Sequence, residues 1–108
     1  MSAPPSAPVF AALGDATRLS IVRRLADAPA LTMALAEETS LSRQAVRKHL
    51  DVLVRVGLVR GERAGRHQRW SLDARPIRAV RDWADGYRQL WESRLDRLER
   101  HLREHDTP

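Results

Sequence analysis

The chain has 108 residues and a formal net charge of +5, with no cysteine, so disulfides, thiolate metal sites and cysteine nucleophiles are excluded. That length holds one domain and a modest core, and no apolar run approaches the roughly 18 residues that a membrane span requires. Lys48 is the only lysine; every other basic side chain is Arg, the residue best suited to bidentate phosphate and guanine contacts, although an arginine-rich codon bias produces the same composition.

In chain order, residues 1–8 (MSAPPSAP) lack the basic and apolar regions of a secretory signal and are expected to be a disordered tail. Val9 to Leu13 predicts one or two helical turns ending at Gly14. Asp15 is placed to cap a helix through Asp27, whose Leu19, Ile21, Val22 and Leu25 recur at helical spacing. Ala28-Pro29 breaks it. Thr32 is expected to cap a short helix from Met33 to Glu38 with Leu35 inward. After the tight connection Thr39-Ser40-Leu41, Ser42 caps a further helix that ends near Gly57 and turns Ala45, Val46, Leu50, Leu53 and Val54 inward. A short helix, a brief turn and a second, basic helix form a helix-turn-helix pattern. Leu58–Arg60 and Arg69–Leu72 then read as short strands around a glycine-bearing turn, Gly61 to Arg66, which makes a β-hairpin wing.

The last element starts at Asp73 or Ala74, with Pro76 allowed in its first turn, and meets no breaker except Gly86 before about Glu104. Such a helix is roughly 43 Å long. Ile77, Val80, Trp83, Ala84, Tyr87, Leu90, Trp91, Leu95, Leu98 and Leu102 fall on one stripe, and the opposite side carries i,i+4 charge pairs such as Arg78–Asp82 and Glu99–Arg103. The preceding winged helix is too small to cover that stripe. The expectation is therefore a homodimer in which a second copy covers Phe10, Leu13, Ile77, Val80, Trp83, Tyr87, Leu90, Trp91, Leu95 and Leu98. A helix folded back over its own domain is the alternative. A ligand pocket among Trp83, Tyr87 and Trp91 competes with simple packing, the commoner use of such a repeat.

Charge position sharpens the functional reading. Between Ser40 and Leu72 stand eight basic residues against only Asp51 and Glu62, a net of +6, while the rest of the chain carries −1. This is the footprint of a nucleic-acid surface. Its candidate residues are Ser42, Arg43, Gln44, Arg47 and Lys48 on the basic helix, Arg63, Arg66, His67 and Arg69 on the wing, and Thr32 at a helix start. Arg and Gln supply bidentate donors for guanine and adenine edges, and wing cations suit phosphate or a narrow minor groove. His49 is expected to be structural. No nucleophile–base arrangement, phosphate-cradling loop or inward carboxylate pair is present, which argues against an enzyme.

Over nearly all of residues 9–104 the chain resembles the ArsR/SmtB family of bacterial repressors. The resemblance rests on FAALGDATRLSIVRRLAD (Phe10 to Asp27), LSRQAVRKHLDVLVRVGLV (Leu41 to Val59) and RAGRHQRWSL (Arg63 to Leu72), and the long ending is most similar to a cysteine-free branch. It implies a mainly α winged helix, with a helix-turn-helix at 9–73 and a dimerisation helix at 74–105 as one domain. The implied function is a cytoplasmic, nucleoid-associated repressor that binds double-stranded DNA as a homodimer and answers to an unknown effector. Where metal sensors of the family place Cys-x-Cys, this chain has Thr32 to Glu38 without a thiol. His101-Leu102-Arg103-Glu104 resembles one half of the family's zinc site, but the positions of the other half are Arg88-Gln89-Leu90, which do not ligate zinc, so no metal and no cofactor are expected. A metal-responsive repressor and a winged helix that binds protein rather than DNA are the alternatives.

Overall fold

The computed structural model describes residues 6–105. Its elements are α1 (Ala7–Leu13), α2 (Ala16–Asp27), β1 (Ala30–Leu31), α3 (Thr32–Thr39), α4 (Arg43–Arg55), β2 (Val59–Ala64), β3 (His67–Leu72) and α5 (Ala74–His105). The three strands form one antiparallel sheet in the order β1-β3-β2.

Helix boundaries follow local chemistry. Asp15 is the N-cap of α2 and accepts the Arg18 N–H at 2.9 Å, a bond that holds its carboxyl below the usual range. Ser42 caps α4 by accepting the Ala45 N–H at 3.0 Å. At the end of α4, Gly57 takes φ +81°, and Leu58 N–H reaches back to the Leu53 carbonyl at 2.9 Å. This paired closure buries Leu58 and launches the wing. Helix α3 ends the same way on Ser40, at φ 59° without glycine's freedom.

Three expected boundaries need correction. Ala7 and Pro8, expected in the tail, belong to α1, because proline suits a first helical turn, and the expectation for residues 1–5 lies outside the described residues. The N-cap of α3 is Leu31, not Thr32; pairing of Ala30 with Trp70 and Leu31 with Arg69 holds the approach to the helix extended. Residues Gly61 to Ala64 are strand rather than turn, so only Gly65-Arg66 turns, with Gly65 at φ +66°.

The core gathers Ile21, Val22 and Leu25 of α2, Leu35 of α3, Val46, Leu50 and Leu53 of α4, and Leu58, Val59 and Trp70 of the wing. Ala45 is half-buried, and Val54, expected inside, is exposed because Leu53, one position and about 100° away on the helix, takes the inward place. Asp73 joins the wing to α5. It is buried, its N–H donates to the Leu58 carbonyl at 2.8 Å, and its carboxylate accepts from the Arg75 backbone at 3.0 Å and guanidinium at 2.7 Å.

Helix α5 has no fully buried residue. Ile77 and Val80 pack against the core beside Leu13, but from Trp83 onward the apolar stripe is open, with Trp91 56% exposed. Of the charge pairs on its back, Glu99–Arg103 forms at 3.5 Å, while Arg81 turns to Asp82 and Arg88 to Asp85. Among the described residues, no helix is long and apolar enough to cross a membrane.

Candidate nucleic-acid interface

The outer face of α4, the start of α3 and the wing enclose a cleft of about 490 Å³ lined by Thr32, Met33, Arg43, Gln44, Arg47, Lys48, Arg66, His67 and Gln68. Seven of the ten candidate DNA contacts therefore meet at one place. Ser42 lines the adjoining hollow with Arg43, its hydroxyl occupied by the cap bond. Arg63 and Arg69 do not line the cleft. Arg63 pairs with Gln68, and Arg69 pairs with Glu62 on the sheet face away from Trp70, beside an opposite charge.

The cleft walls are held by specific bonds. The Trp70 indole N–H donates to Thr32 Oγ1 at 2.8 Å, and the Arg47 guanidinium lies 5.2 Å from the Trp70 ring centroid. Arg47 Nε also donates to Asp51 at 3.3 Å. His49, on the inner side of α4, has Nδ1 3.5 Å from Arg18 Nη1 and 3.8 Å from Asp15 Oδ2. Arg18 in turn donates to the Ala12 carbonyl at 2.8 Å, so His49 serves the α1–α2–α4 junction, as a structural histidine would.

Two cleft residues escaped the sequence reading. Gln68 is half-buried, and its Oε1 is buried without a hydrogen-bond partner; alternation with Trp70 along β3 is the signal that would have placed it. Met33 follows Thr32 into the cleft, with no signal in the sequence beyond that neighbour.

On α5, Phe10 meets Trp83 edge-on at 5.1 Å, and Trp83 tilts against Tyr87 at 4.8 Å. Leu90, Trp91, Leu95 and Leu98 continue the stripe, exposed, while Leu13, Ile77 and Val80 belong partly to the body's own core. At the end of α5 the His101 and His105 rings lie 4.1 Å apart, with His105 Nδ1 2.9 Å from the His101 carbonyl. Among the described residues, no group of three or more side chains is arranged to hold a metal ion.

A basic helix presented beside a β-hairpin, on a helix-turn-helix body, defines a winged helix-turn-helix protein. The comparisons with known proteins agree. The helix-turn-helix domain family matches residues 13–62. The chain is 39% identical over 93 residues to the HTH-type transcriptional regulator Rv2034 of Mycobacterium tuberculosis, which spans 79% of this chain and 87% of that protein. The ArsR-like transcriptional regulator from Rhodococcus sp. RHA1 is similar at 33% identity, covering 87% of this chain and 89% of the other, with a TM-score of 0.68. A further ArsR-family regulator is similar at 31% identity, covering 80% and 89%, with a TM-score of 0.69. The chain belongs to the ArsR family of winged helix-turn-helix transcriptional regulators. It is a DNA-binding regulator of transcription and not an enzyme.

Proposed function

We propose that two copies of this chain associate through the α5 stripe and α1, bind an operator of imperfect two-fold symmetry, and repress transcription until an effector releases them. The observation that carries this reading is the convergence of Arg43, Gln44, Lys48, Arg66 and His67 on one cleft, in a chain whose α5 stripe is exposed from Trp83 onward. On this reading the first half of α4 enters the major groove, with Arg43 and Gln44 at base edges and Ser42 and Lys48 at its rim. The wing, with Arg63, Arg66, His67 and Arg69, follows the phosphates or the neighbouring minor groove. A two-fold dimer places its two reading helices about 34–36 Å apart, one turn of DNA. The regulator works in the cytoplasm, on the nucleoid.

The test is a mobility-shift titration of the full chain against its own upstream region and against a random duplex. If about 6–10 phosphates are neutralised, binding weakens roughly 10³–10⁵-fold between 50 and 200 mM salt. A flat salt dependence, or equal affinity for both duplexes, refutes the reading.

A further inference from the structure

Trp70 belongs to the wing, yet it touches each element that meets at the cleft. It is 3% exposed. Its indole N–H holds Thr32 in the first turn of α3. Its ring carries the Arg47 guanidinium of α4. The backbone of β2 lies directly against it: a Cβ at Gly61 would stand 2.6 Å from Cζ3. Arg47 is held from a second side by Asp51. Two residues whose chemistry suits DNA are thus engaged with protein groups instead.

We infer that Trp70 is the positioning residue that fixes the wing against the recognition helix α4, with Thr32 and Arg47 serving as its two struts rather than as contacts to DNA. The inference rests on the proposed DNA binding at this cleft. Its physical basis is the difference between attraction and discrimination. Attraction to any duplex depends on the number of cations near phosphate, which is insensitive to small shifts of the wing. Discrimination requires base-edge donors held to within about 0.5 Å by a rigid supporting shell. A loosened wing therefore loses discrimination at every base pair of the half-site, whereas loss of a base contact relaxes one position.

Three variants separate these roles. Thr32→Val deletes the acceptor at nearly constant shape. Trp70→Phe keeps an aromatic ring and deletes the donor. Arg47→Lys keeps the charge and removes the flat guanidinium. Affinities of the full chain are measured for the operator, its single-base variants and a random duplex, across a salt series. Each variant is expected to lower the operator-to-random ratio about 3–10-fold, the equivalent of one neutral hydrogen bond, evenly over base positions and without change in random-duplex affinity or salt slope. The Thr32→Val, Trp70→Phe double variant falls no further than the worse single, since both delete one bond. In a ¹⁵N spectrum the indole N–H that vanishes in Trp70→Phe loses exchange protection in Thr32→Val.

A full ratio retained in Arg47→Lys would show that Arg47 acts only as a charge, and a loss confined to one base pair would show that it reads a base; either overturns the inference. A Thr32→Val chain with a smaller salt slope would place that hydroxyl on phosphate and overturn it as well. Should Trp70→Phe not fold, the other two variants, at less buried positions, carry the test. A wild-type chain with no sequence preference overturns the DNA reading and this inference together; a discriminating wild type matched by its variants overturns this inference alone.

Discussion

Gly61→Ala puts the packing around Trp70 to a direct test. The added Cβ would lie 2.6 Å from Cζ3, 2.9 Å from Cε3 and 3.2 Å from Cη2 of Trp70. The ring has nowhere to retreat: it is buried, tied to Thr32 through its N–H and covered by Arg47. Overpacking of this kind costs about 1–3 kcal/mol, which for a domain of this size lowers the melting temperature by roughly 4–20 °C. Urea and thermal unfolding followed by far-ultraviolet circular dichroism, at one fixed protomer concentration, measure it. Gly65→Ala is the comparison, because its penalty comes from φ +66° in open space rather than from a neighbour. In a Trp70→Phe background, which lacks the outer edge of the indole, the Gly61→Ala penalty should shrink while that of Gly65→Ala stays. An equal Gly61→Ala cost in both backgrounds, or none in the wild type, would refute the packing argument.

Four further outcomes are expected. Arg75 holds the Asp73 carboxyl well below the usual range, so the stability it confers is full above the unfolded pKa near 4 and is lost as pH falls through the lower folded value. Asp73→Asn should then be less stable than wild type at pH 7, with a gap that narrows below about pH 4; a gap of the same size at pH 2 contradicts this. Trp91→Glu puts a charge on the open stripe and should leave a folded but monomeric chain in sedimentation, whereas a wild type already monomeric at tens of micromolar, or a variant that stays dimeric, refutes the α5 interface. Arg43→Ala or Gln44→Ala should relax sequence preference by about 1–3 kcal/mol per lost base contact, and Arg66→Ala, on the wing turn, should weaken all duplexes alike; unchanged discrimination in the helix variants refutes the docking. Ser40→Gly relieves a left-handed backbone at φ 59° and should stabilise the chain by roughly 1 kcal/mol, visible as a higher urea midpoint; an unchanged or lower midpoint contradicts this.

Much of the fold could be read residue by residue because the deciding chemistry is local. Asp15, Ser42 and Gly57 occupy the cap positions that their side chains, or lack of one, favour. Likewise α5 runs on because nothing between Ala74 and His105 stops it. The failures are tertiary. A two-residue strand has no period to detect, and β1 exists only because Trp70 and Arg69, some 38 to 40 positions later, offer a ladder. That ladder moves the cap of α3 from Thr32 to Leu31 and frees the Thr32 hydroxyl for Trp70. Gly61 looked like a turn residue, yet it is in strand because the indole fills the space a side chain would need. At the site, the cations of α4 were legible as an exposed face, whereas Gln68 and Met33 matter only because three separate segments converge on them.

The long helix is not an appendage to an independent winged helix. Its first turns are part of the body: Ile77 and Val80 close the core, and Asp73 pins its start to Leu58. Its middle is tied to the body through α1, where Phe10 packs against Trp83. The far end of α1 is gripped by Arg18, which donates to the Ala12 carbonyl and approaches His49 on the recognition helix. Short α1, with only Val9 and Ala12 buried, therefore lies between the exposed α5 stripe and the helix that faces the cleft. Packed interiors transmit displacement rather than absorb it. The Phe10–Trp83 and Arg18–His49 contacts thus link α5 to α4 by way of α1, alongside the direct packing of Ile77 and Val80 on the core that α4 shares.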